Sequence, residues 1–410
     1  MKKIILLCIP LFIYSQDLQM LLEQSKKYNK QIQAKQILMR SKQKELQSSK
    51  ESYYPTLDVS AFYQRDDDAT PFRPGTTYGA RTTLSYNVYD GGKREYTIKQ
   101  KNAEVDQKNF SYKDSIEKTA LGITEDFYNI LSQKALLQAR KDAAKSVKKE
   151  LERVKRFYEA NLATSDDVDR LQSAYDRNMY EIESLKLHLL SAKKMLELKV
   201  GVKIDSLENS KFQKADFNDM KELSSIKALK ASKDSLLYVS EQVDSFYYPN
   251  ISLQDSFSWY GYKDKPLLPS GIEYLDNQNE LSANIVLRVI DFGRLKEEKE
   301  AVFLKAEALQ QQLLYAQKEQ KIQLDIAKES IKTAQLNIKS AKSAYKAAQS
   351  ALKTITKKYQ AGLVDNVVYL DALANNTSAK ALYEKSLNEL EIAYARYYYY
   401  LGKELKGMLQ

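Results

Sequence analysis

An internal duplication is the feature that most restricts how this chain can fold. Residues 89–94 (YDGGKR) are echoed by residues 290–294 (IDFGR), and residues 158–162 (YEANL) are echoed by residues 359–363 (YQAGL). In both cases the second copy follows 201 positions after the first. Because one copy of a repeat rarely buries its apolar face alone, we expect function to depend on the assembled shape and not on a local pocket.

The first residues have the pattern of a secretory signal. Two lysines precede an apolar run over residues 4–14, which is too short to cross a bilayer as a permanent helix. We therefore assign residues 1–16 to a cleaved signal peptide, with a buried amphipathic helix as the alternative. The only cysteine, Cys8, lies in this segment, so the exported chain is expected to have no disulfide and no cysteine-based metal site.

The composition favours long helices and few loops. There are 7 prolines and 12 glycines in 410 residues, whereas Ala, Leu, Lys, Gln and Glu are abundant. The formal net charge of +10 falls by two when the leader is removed, and the remaining lysines are scattered among carboxylates. A solvated helix surface explains this distribution better than a nucleic-acid-binding stripe, so no nucleic-acid partner is expected.

A heptad pattern runs through both halves. In the second half, steps of three and four alternate without a break through Leu324, Ala327, Ile331, Ala334, Ile338, Ala341, Tyr345, Ala348, Leu352, Ile355 and Tyr359. The first half follows nearly the same course, interrupted at Lys134 and Arg140, through Ile123, Phe127, Ile130, Leu137, Ala144, Val147, Leu151, Val154 and Tyr158. This spacing predicts coiled-coil seams in helices of about 70 residues, on the order of 100 Å long.

Each long helix is predicted to turn and come back. Asn161 and Gly362 stand where a left-handed residue would end a helix. Ser165-Asp166-Asp167 and Asp365-Asn366 can each cap a returning helix. The sequence therefore predicts two antiparallel helical hairpins with these residues at their tips.

The hydrophobic period changes to two before each hairpin. Apolar and polar residues alternate from Ile251 to Trp259 and from Leu281 to Val289. In the first half, Leu57 to Tyr63 forms one strand and Tyr78 to Tyr89 the other, with Leu84, Tyr86 and Val88 on one face. This is the apolar-out, polar-in pattern of membrane barrel strands, although ordinary half-buried hairpins alternate in the same way.

Four strands are too few to close a membrane barrel, because such barrels begin at about eight strands. Only helices and closed barrels satisfy their backbone hydrogen bonds in lipid. Closed cyclic symmetry is the usual way to complete a ring. We therefore expect a closed assembly in which strands from sister copies complete the barrel and the helices form a second, coaxial tube. A homotrimer would supply twelve strands and a ring of twelve helical segments.

The predicted organisation covers the whole chain. It consists of a signal peptide (1–16), a first-half helix (17–55), a β-hairpin (56–90), a helical hairpin with its tip near 161–167 (91–200), an equatorial segment (201–224), a second-half helix (225–249), a β-hairpin (250–291), a helical hairpin with its tip near 362–365 (292–402) and a C-terminal tail (403–410).

These motifs carry a resemblance to a known family. Asp90-Gly91-Gly92 and Asp291-Phe292-Gly293 lie where a strand returns to a helix, and Tyr359 to Gly362 is followed by Leu370-Asp371-Ala372. In their order and duplication they resemble TolC-type outer-membrane efflux proteins, also called outer membrane factors. The resemblance implies an α+β membrane protein: long helical hairpins form an α-barrel, and a transmembrane antiparallel β-barrel is completed by trimerisation.

The resemblance also implies site residues. Asp371, Asp167, Tyr359 and Asp365 would form the periplasmic aperture, with Tyr359 and Asp167 matching a pair whose contact helps to hold the closed tip. Asn161, Leu162, Gly362 and Leu363 would be the adaptor-docking tips, and the strand–helix junctions would be Asp90, Gly91, Gly92, Asp291 and Gly293. Val368 and Val364 depart from a second family carboxylate and a gating arginine. Alternatively, the aspartates are solvated or capping residues, and Tyr158 and Tyr359 simply end the seams.

The function implied is passive conduction. A trimeric channel in the outer membrane of a Gram-negative bacterium would serve as the exit duct of a tripartite efflux or type I secretion system. Its partners would be a periplasmic adaptor, an inner-membrane pump and outer-membrane lipid. No enzyme activity, cofactor or metal is expected, because His188 has no second ligand in view and Asp66-Asp67-Asp68 is better explained as a solvated loop. The alternatives are a periplasmic coiled-coil adaptor without a pore and a cytosolic coiled-coil scaffold.

Overall fold

The computed structural model describes residues 16–70, 73–214 and 220–410. The predicted signal peptide therefore lies outside the described residues, except for Gln16. The helices are α1 (Leu18–Tyr28), α2 (Lys30–Glu51), α3 (Lys93–Glu159), α4 (Ser165–Val200), α5 (Ser224–Asp244), α6 (Arg294–Gln360) and α7 (Asn366–Tyr400). The strands are β1 (Thr56–Arg65), β2 (Thr76–Asp90), β3 (Asn250–Lys263) and β4 (Asn277–Val286). Short 3₁₀ turns cover Ser245–Tyr247 and Leu405–Met408.

The chain forms two compact units. One unit holds the described residues within Met1–Gln36, Ser111–Ser225 and Ala316–Gln410, and the other holds Ile37–Phe110 and Ile226–Tyr315. The predicted α+β class is confirmed, since long helical hairpins accompany one four-stranded antiparallel sheet. The two longest helices, α3 and α6, each contain 67 residues, close to the length that the heptads predict.

The sheet has the strand order β1-β2-β3-β4, and all three pairings are antiparallel. Its register aligns the apolar positions of all four strands on one face, because side chains alternate between faces along each strand. That face carries Leu57, Val59, Tyr63, Leu84, Tyr86, Leu253, Phe257, Trp259, Leu281 and Ile285, all exposed in the single chain. Asp255 interrupts it between Leu84 and Leu281. The opposite face is mostly polar.

Two details of the strand prediction are wrong. A β-bulge shifts the register between Asn87 and Tyr89, so that Tyr89 pairs with Ile251 and joins the apolar face in place of Val88. A bulge inserts one extra residue, and the alternation reverses beyond it. The last strand runs from Asn277 to Val286 and not from Leu281 to Val289, so the apolar residues after Val286 lie outside the sheet.

The heptad seams are buried in the unit that contains Ser111–Ser225 and Ala316–Gln410. Ile123, Phe127, Ile130, Val147 and Val154 of α3 are buried, and so are the seam residues of α6 at Leu324, Ala327, Ile331, Ala334 and Ala341. The seams differ at their ends, because Tyr359 is only 9% exposed whereas Tyr158 is 49% exposed. In the single chain the buried part of the α3 seam therefore ends at Val154, and a seam role for Tyr158 stays a prediction.

The single helix predicted over residues 17–55 is two helices that meet at Asn29. The Asn29 side chain accepts hydrogen bonds from the backbone N–H groups of Gln31 (2.8 Å) and Ile32 (3.0 Å), which caps α2. Its amide donates to the carbonyl of Lys199 at 2.6 Å. This contact fixes the start of α2 against the end of α4.

Left-handed glycines end both returning helices and are themselves 201 positions apart. Gly201 has φ +85° and follows α4, and Gly402 has φ +75° just beyond α7. A Cβ at Gly201 would lie 2.6 Å from the Tyr28 carbonyl, and one at Gly402 would lie 2.5 Å from the Lys221 carbonyl. Each helix end is thus packed directly on the backbone of another segment.

The segment predicted as equatorial pairs with residues near both ends of the described chain. Its residue Leu207 forms a parallel bridge with Gln16, and Phe212 forms an antiparallel bridge with Leu409. The hydroxyl of Tyr398 lies within hydrogen-bond distance of the carbonyls of Gln213 (3.1 Å) and Lys214 (3.2 Å). The tyrosine run at the end of α7 therefore packs on this segment, with Tyr397, Tyr398 and Tyr399 buried.

Candidate functional site

The hairpin tips have the backbone that the sequence predicts. Asn161 and Gly362 both lie in the left-handed region, at φ +57° and +72°. The next N–H groups, those of Leu162 and Leu363, donate back to the last helical turns at 2.7 and 2.9 Å. This geometry satisfies carbonyls that would otherwise be unpaired. It also leaves the two leucine side chains about three-quarters exposed, at 75% and 73%.

The returning helices begin with side-chain caps. In the first hairpin the cap is Thr164, one residue before the predicted Ser165-Asp166-Asp167 run, and Asp167 completes a reciprocal capping box. In the second hairpin the cap is Asp365, as predicted, and its Oδ1 accepts from the Val368 N–H at 3.0 Å. Asp365 is therefore engaged with its own helix, which is the capping alternative to an aperture role.

Capping predicts a modest stability effect at Asp365. Replacing Asp365 with Ala is expected to lower the free energy of unfolding by about 1 kcal/mol, because the first turn of α7 loses its side-chain acceptor. Asp365→Asn keeps an acceptor and should cost less. Thermal unfolding of the two variants would test this expectation, and equal midpoints would contradict it.

A partly buried hydrogen bond joins the two hairpin tips. Asn366, 4% exposed, donates from Nδ2 to Oδ1 of Asp167 at 2.9 Å. The other carboxylate oxygen of Asp167 accepts from the Thr164 hydroxyl at 2.8 Å. Both oxygens of Asp167 thus have partners, one within its own hairpin and one in the other hairpin.

Tyr359 reaches the same tips but has different partners. Its ring stacks on Tyr369 with centroids 4.9 Å apart, and the Arg153 guanidinium lies 4.9 Å from the Tyr359 ring centroid. Burial raises the pKa of Tyr359, opposed by the charge of Arg153, and burial raises the pKa of Tyr369 to about 12. Both phenols are therefore neutral at physiological pH. Among the contacts of the described residues, no hydrogen bond joins Tyr359 to Asp167, and the role of this pair in holding a closed tip stays a prediction.

Asp371 is exposed and lies on a groove lined by α3, α4 and α7. The groove encloses about 590 Å³, and its lining includes Arg140, Arg170 and Arg177 beside Asp371. Arg140 is held by Glu181 at 2.9 Å, whereas no ion pair of Asp371 occurs within the described part of the chain. The single chain therefore leaves the Asp371 carboxylate available to solvent.

The predicted strand–helix junctions have matching backbones in both halves. Gly91 and Gly92 have φ +70° and +85°, and Phe292 and Gly293 have φ +53° and +88°. The preceding aspartates cap the long helices. Asp90 Oδ2 accepts from the Arg94 N–H and Asp291 Oδ2 from the Leu295 N–H, both at 3.0 Å. The junctions act as turns that start α3 and α6.

Sequence reasoning missed the roles of four residues at the tips: Thr164, Arg153, Tyr369 and Asn366, the last of which it proposed only as part of a helix cap. The capping box Thr164-x-x-Asp167 could have been found, since a hydroxyl followed three residues later by a carboxylate marks a helix start. The other three act through contacts between elements, which local patterns do not encode.

The described residues offer no alternative site for metal or membrane-helix functions. Within them, no group of three or more His, Cys, Asp or Glu side chains could hold a metal ion. His188 lies exposed on α4. No helix in the described ranges is both long enough and apolar enough to cross a membrane.

Comparison with known proteins places this architecture among outer-membrane channels. VceC of Vibrio cholerae superposes with a TM-score of 0.77 at 14% identity over 95% of this chain and 96% of its own. CmeC of Campylobacter jejuni gives 0.82 at 15% identity, over 94% and 85%. MtrE of Neisseria gonorrhoeae in its open state gives 0.74 at 13%, over 95% and 89%.

The fold is thus that of outer-membrane channels. Residues 21–202 match the family described as outer membrane efflux protein, and the resemblance predicted from the sequence is confirmed. The family consists of channels and not enzymes. A search of curated protein sequences returns no match.

Proposed function

We propose that this protein is a trimeric outer-membrane channel, the exit duct of a tripartite efflux or type I secretion system. The observation that carries the proposal is the sheet. It has one exposed apolar face, one polar face, and terminal strands β1 and β4 that each pair on one side only within the described chain. Lipid tolerates no unpaired strand edge, so sister copies must supply the missing neighbours.

The helical hairpins are the proposed periplasmic conduit and the docking site for partners. Leu162 and Leu363 protrude from the tips, and an exposed apolar side chain is a contact that an adaptor protein could bury. The channel itself would conduct passively, while an inner-membrane pump supplies the energy. The cleaved signal peptide would direct the chain through the inner membrane of a Gram-negative cell.

Assembly and conduction test the proposal together. The protein extracted in detergent from outer membranes should run as a heat-resistant trimer, and in planar bilayers it should conduct ions. A monomeric, non-conducting protein would reject the channel. A periplasmic or cytosolic fraction without membrane association would instead favour the adaptor or the scaffold.

The aperture proposal predicts a change in ion selectivity. Three copies of Asp371 around one axis would favour cations, so Asp371→Asn is expected to lower the cation-to-anion permeability ratio several-fold. Asp176→Asn, an exposed carboxylate on α4, is the matched control and should leave the ratio unchanged. If Asp371→Asn retains the selectivity of the wild type, Asp371 does not line the aperture.

A further inference from the structure

The duplicated Tyr-Tyr-Pro motif, at residues 53–55 and 247–249, has no role in the proposed function. In the structure it places a group of aromatic rings directly before β1 and β3. Tyr53, Tyr54, Phe246, Tyr247 and Tyr248 are between 38% and 72% exposed. Rings exposed at the end of an apolar sheet face are typical of the level at which lipid headgroups meet hydrocarbon.

Two basic side chains, each from a segment that follows a strand, lie against one of these rings. The ammonium of Lys93, which follows β2, lies 5.1 Å from the centroid of Phe246. The guanidinium of Arg288, which follows β4, lies 5.7 Å from the same centroid. The segments before and after the sheet therefore bring two cations to one exposed ring.

These two cations differ from their neighbours in having no carboxylate partner. Arg94, which lies 4.4 Å from the Tyr53 ring, pairs with Asp90 at 2.9 Å, and Lys299 pairs with Asp244 at 2.6 Å. No ion pair of Lys93 or Arg288 occurs among the described residues, and both side chains are exposed. Asp90 and Asp244 are thus paired with other cations, and two cations without an ion-pair partner lie beside Phe246.

We propose that Lys93, Phe246 and Arg288 form a binding site for the phosphate of an anionic phospholipid in the leaflet next to the helices. The proposal rests on the membrane insertion in the proposed function and adds a specific ligand to it. Lys and Arg donate charge-assisted hydrogen bonds to phosphate oxygens. The exposed rings of the Tyr-Tyr-Pro motifs would lie along the glycerol and upper acyl chains, as amphipathic aromatics do at an interface.

A lipid fits this site better than a free anion does. A soluble phosphate needs only the two cations, whereas the cations here lie beside the exposed ring of Phe246. A phospholipid satisfies both parts at once, because its phosphate is covalently joined to acyl chains. The Lys93 and Arg288 side chains can extend along the rings while their charges remain at headgroup level.

Native mass spectrometry of the detergent-solubilised assembly would test the site. The wild-type protein is expected to retain dioleoyl phosphatidylglycerol in preference to dioleoyl phosphatidylcholine. The double variant Lys93→Gln/Arg288→Gln should lose about tenfold in retention of phosphatidylglycerol, since two charge-assisted hydrogen bonds are removed. Lys296→Gln/Lys305→Gln, which removes the same charge from exposed positions of α6, should behave as the wild type.

Three results would overturn the proposal. These are unchanged phosphatidylglycerol retention in Lys93→Gln/Arg288→Gln, equal loss in the α6 control, and complete displacement of the lipid by excess inorganic phosphate, which would identify a free-anion site. Planar-bilayer conductance of Lys93→Gln/Arg288→Gln separates this proposal from the channel itself. A variant that conducts normally and a wild type without lipid preference would reject the lipid site alone.

Discussion

Replacing Gly201 with alanine is expected to lower the free energy of unfolding by about 3 kcal/mol. Its φ of +85° costs an L-residue about 1–2 kcal/mol. The new Cβ would also lie 2.6 Å from the carbonyl carbon and oxygen of Tyr28 and 3.0 Å from the Asn29 nitrogen. These are backbone atoms that cannot rotate away, and overpacking of this kind adds about 1–3 kcal/mol.

Gly362 provides a matched control for the strain. It has a similar φ of +72°, but a Cβ there would meet nothing within 4 Å. Gly362→Ala is therefore expected to cost only about 1 kcal/mol. Gly402→Ala should resemble Gly201→Ala, because its Cβ would lie 2.5 Å from the Lys221 carbonyl.

Thermal unfolding followed by helical circular dichroism would compare the three variants. The midpoint should fall most for Gly201→Ala and Gly402→Ala and least for Gly362→Ala. Equal shifts in all three would show that backbone strain alone matters and that the close packing of the helix ends contributes nothing.

The sequence predicts most of the fold because its signals are local and occur twice. Heptad spacing predicts α3 and α6, and Asn161 and Gly362 predict the tip turns. Alternation predicts four strands, although it gives neither the bulge near Val88 nor the end of β4 at Val286, since both depend on pairing with β3. The alternation pattern of a single strand does not show where its pairing register with a neighbouring strand shifts.

The contacts between segments could not be predicted in the same way. No local sequence pattern marks Gln320 of α6 as a buried residue, yet it is 2% exposed. Its amide nitrogen donates to the carbonyls of Lys221 and Tyr400, both at 2.8 Å, and its oxygen accepts from the Leu223 N–H at 3.3 Å. A glutamine on a helix is usually solvated, and only the approach of two distant segments makes this one structural.

The arrangement of the hairpin tips also depends on contacts between distant segments, and so the sequence alone could not predict it. The family resemblance predicted a contact between Tyr359 and Asp167, and the structure places both residues at the tips. The partner of Asp167 across the hairpins is nevertheless Asn366, a residue that the sequence presented only as a helix cap. Tyr359 is instead buried by Tyr369, for which the first half has Val168 201 positions earlier. The duplicated tips have therefore diverged in the residues that pack between them.

Breaking the hydrogen bond between Asp167 and Asn366 is expected to raise the resting conductance of the channel. If closed tips limit conduction, as the family resemblance implies, and the bond stabilises the closed state, losing it should increase the open fraction about fivefold, corresponding to about 1 kcal/mol. Asp167→Ala and Asn366→Ala should each show this increase in planar bilayers. The double variant should show no further increase, because both substitutions remove one shared interaction.

Two controls separate this hydrogen bond from its surroundings. Thr164→Ala breaks the capping box but leaves the 2.9 Å contact between Asn366 and Asp167 in place, so the resting conductance should stay near that of the wild type. Tyr359→Phe keeps the ring that stacks on Tyr369 and should likewise change little, alone or combined with Asp167→Ala. Strong coupling between Tyr359→Phe and Asp167→Ala, together with additive effects of Asp167→Ala and Asn366→Ala, would instead show that the tips are held closed through the tyrosine.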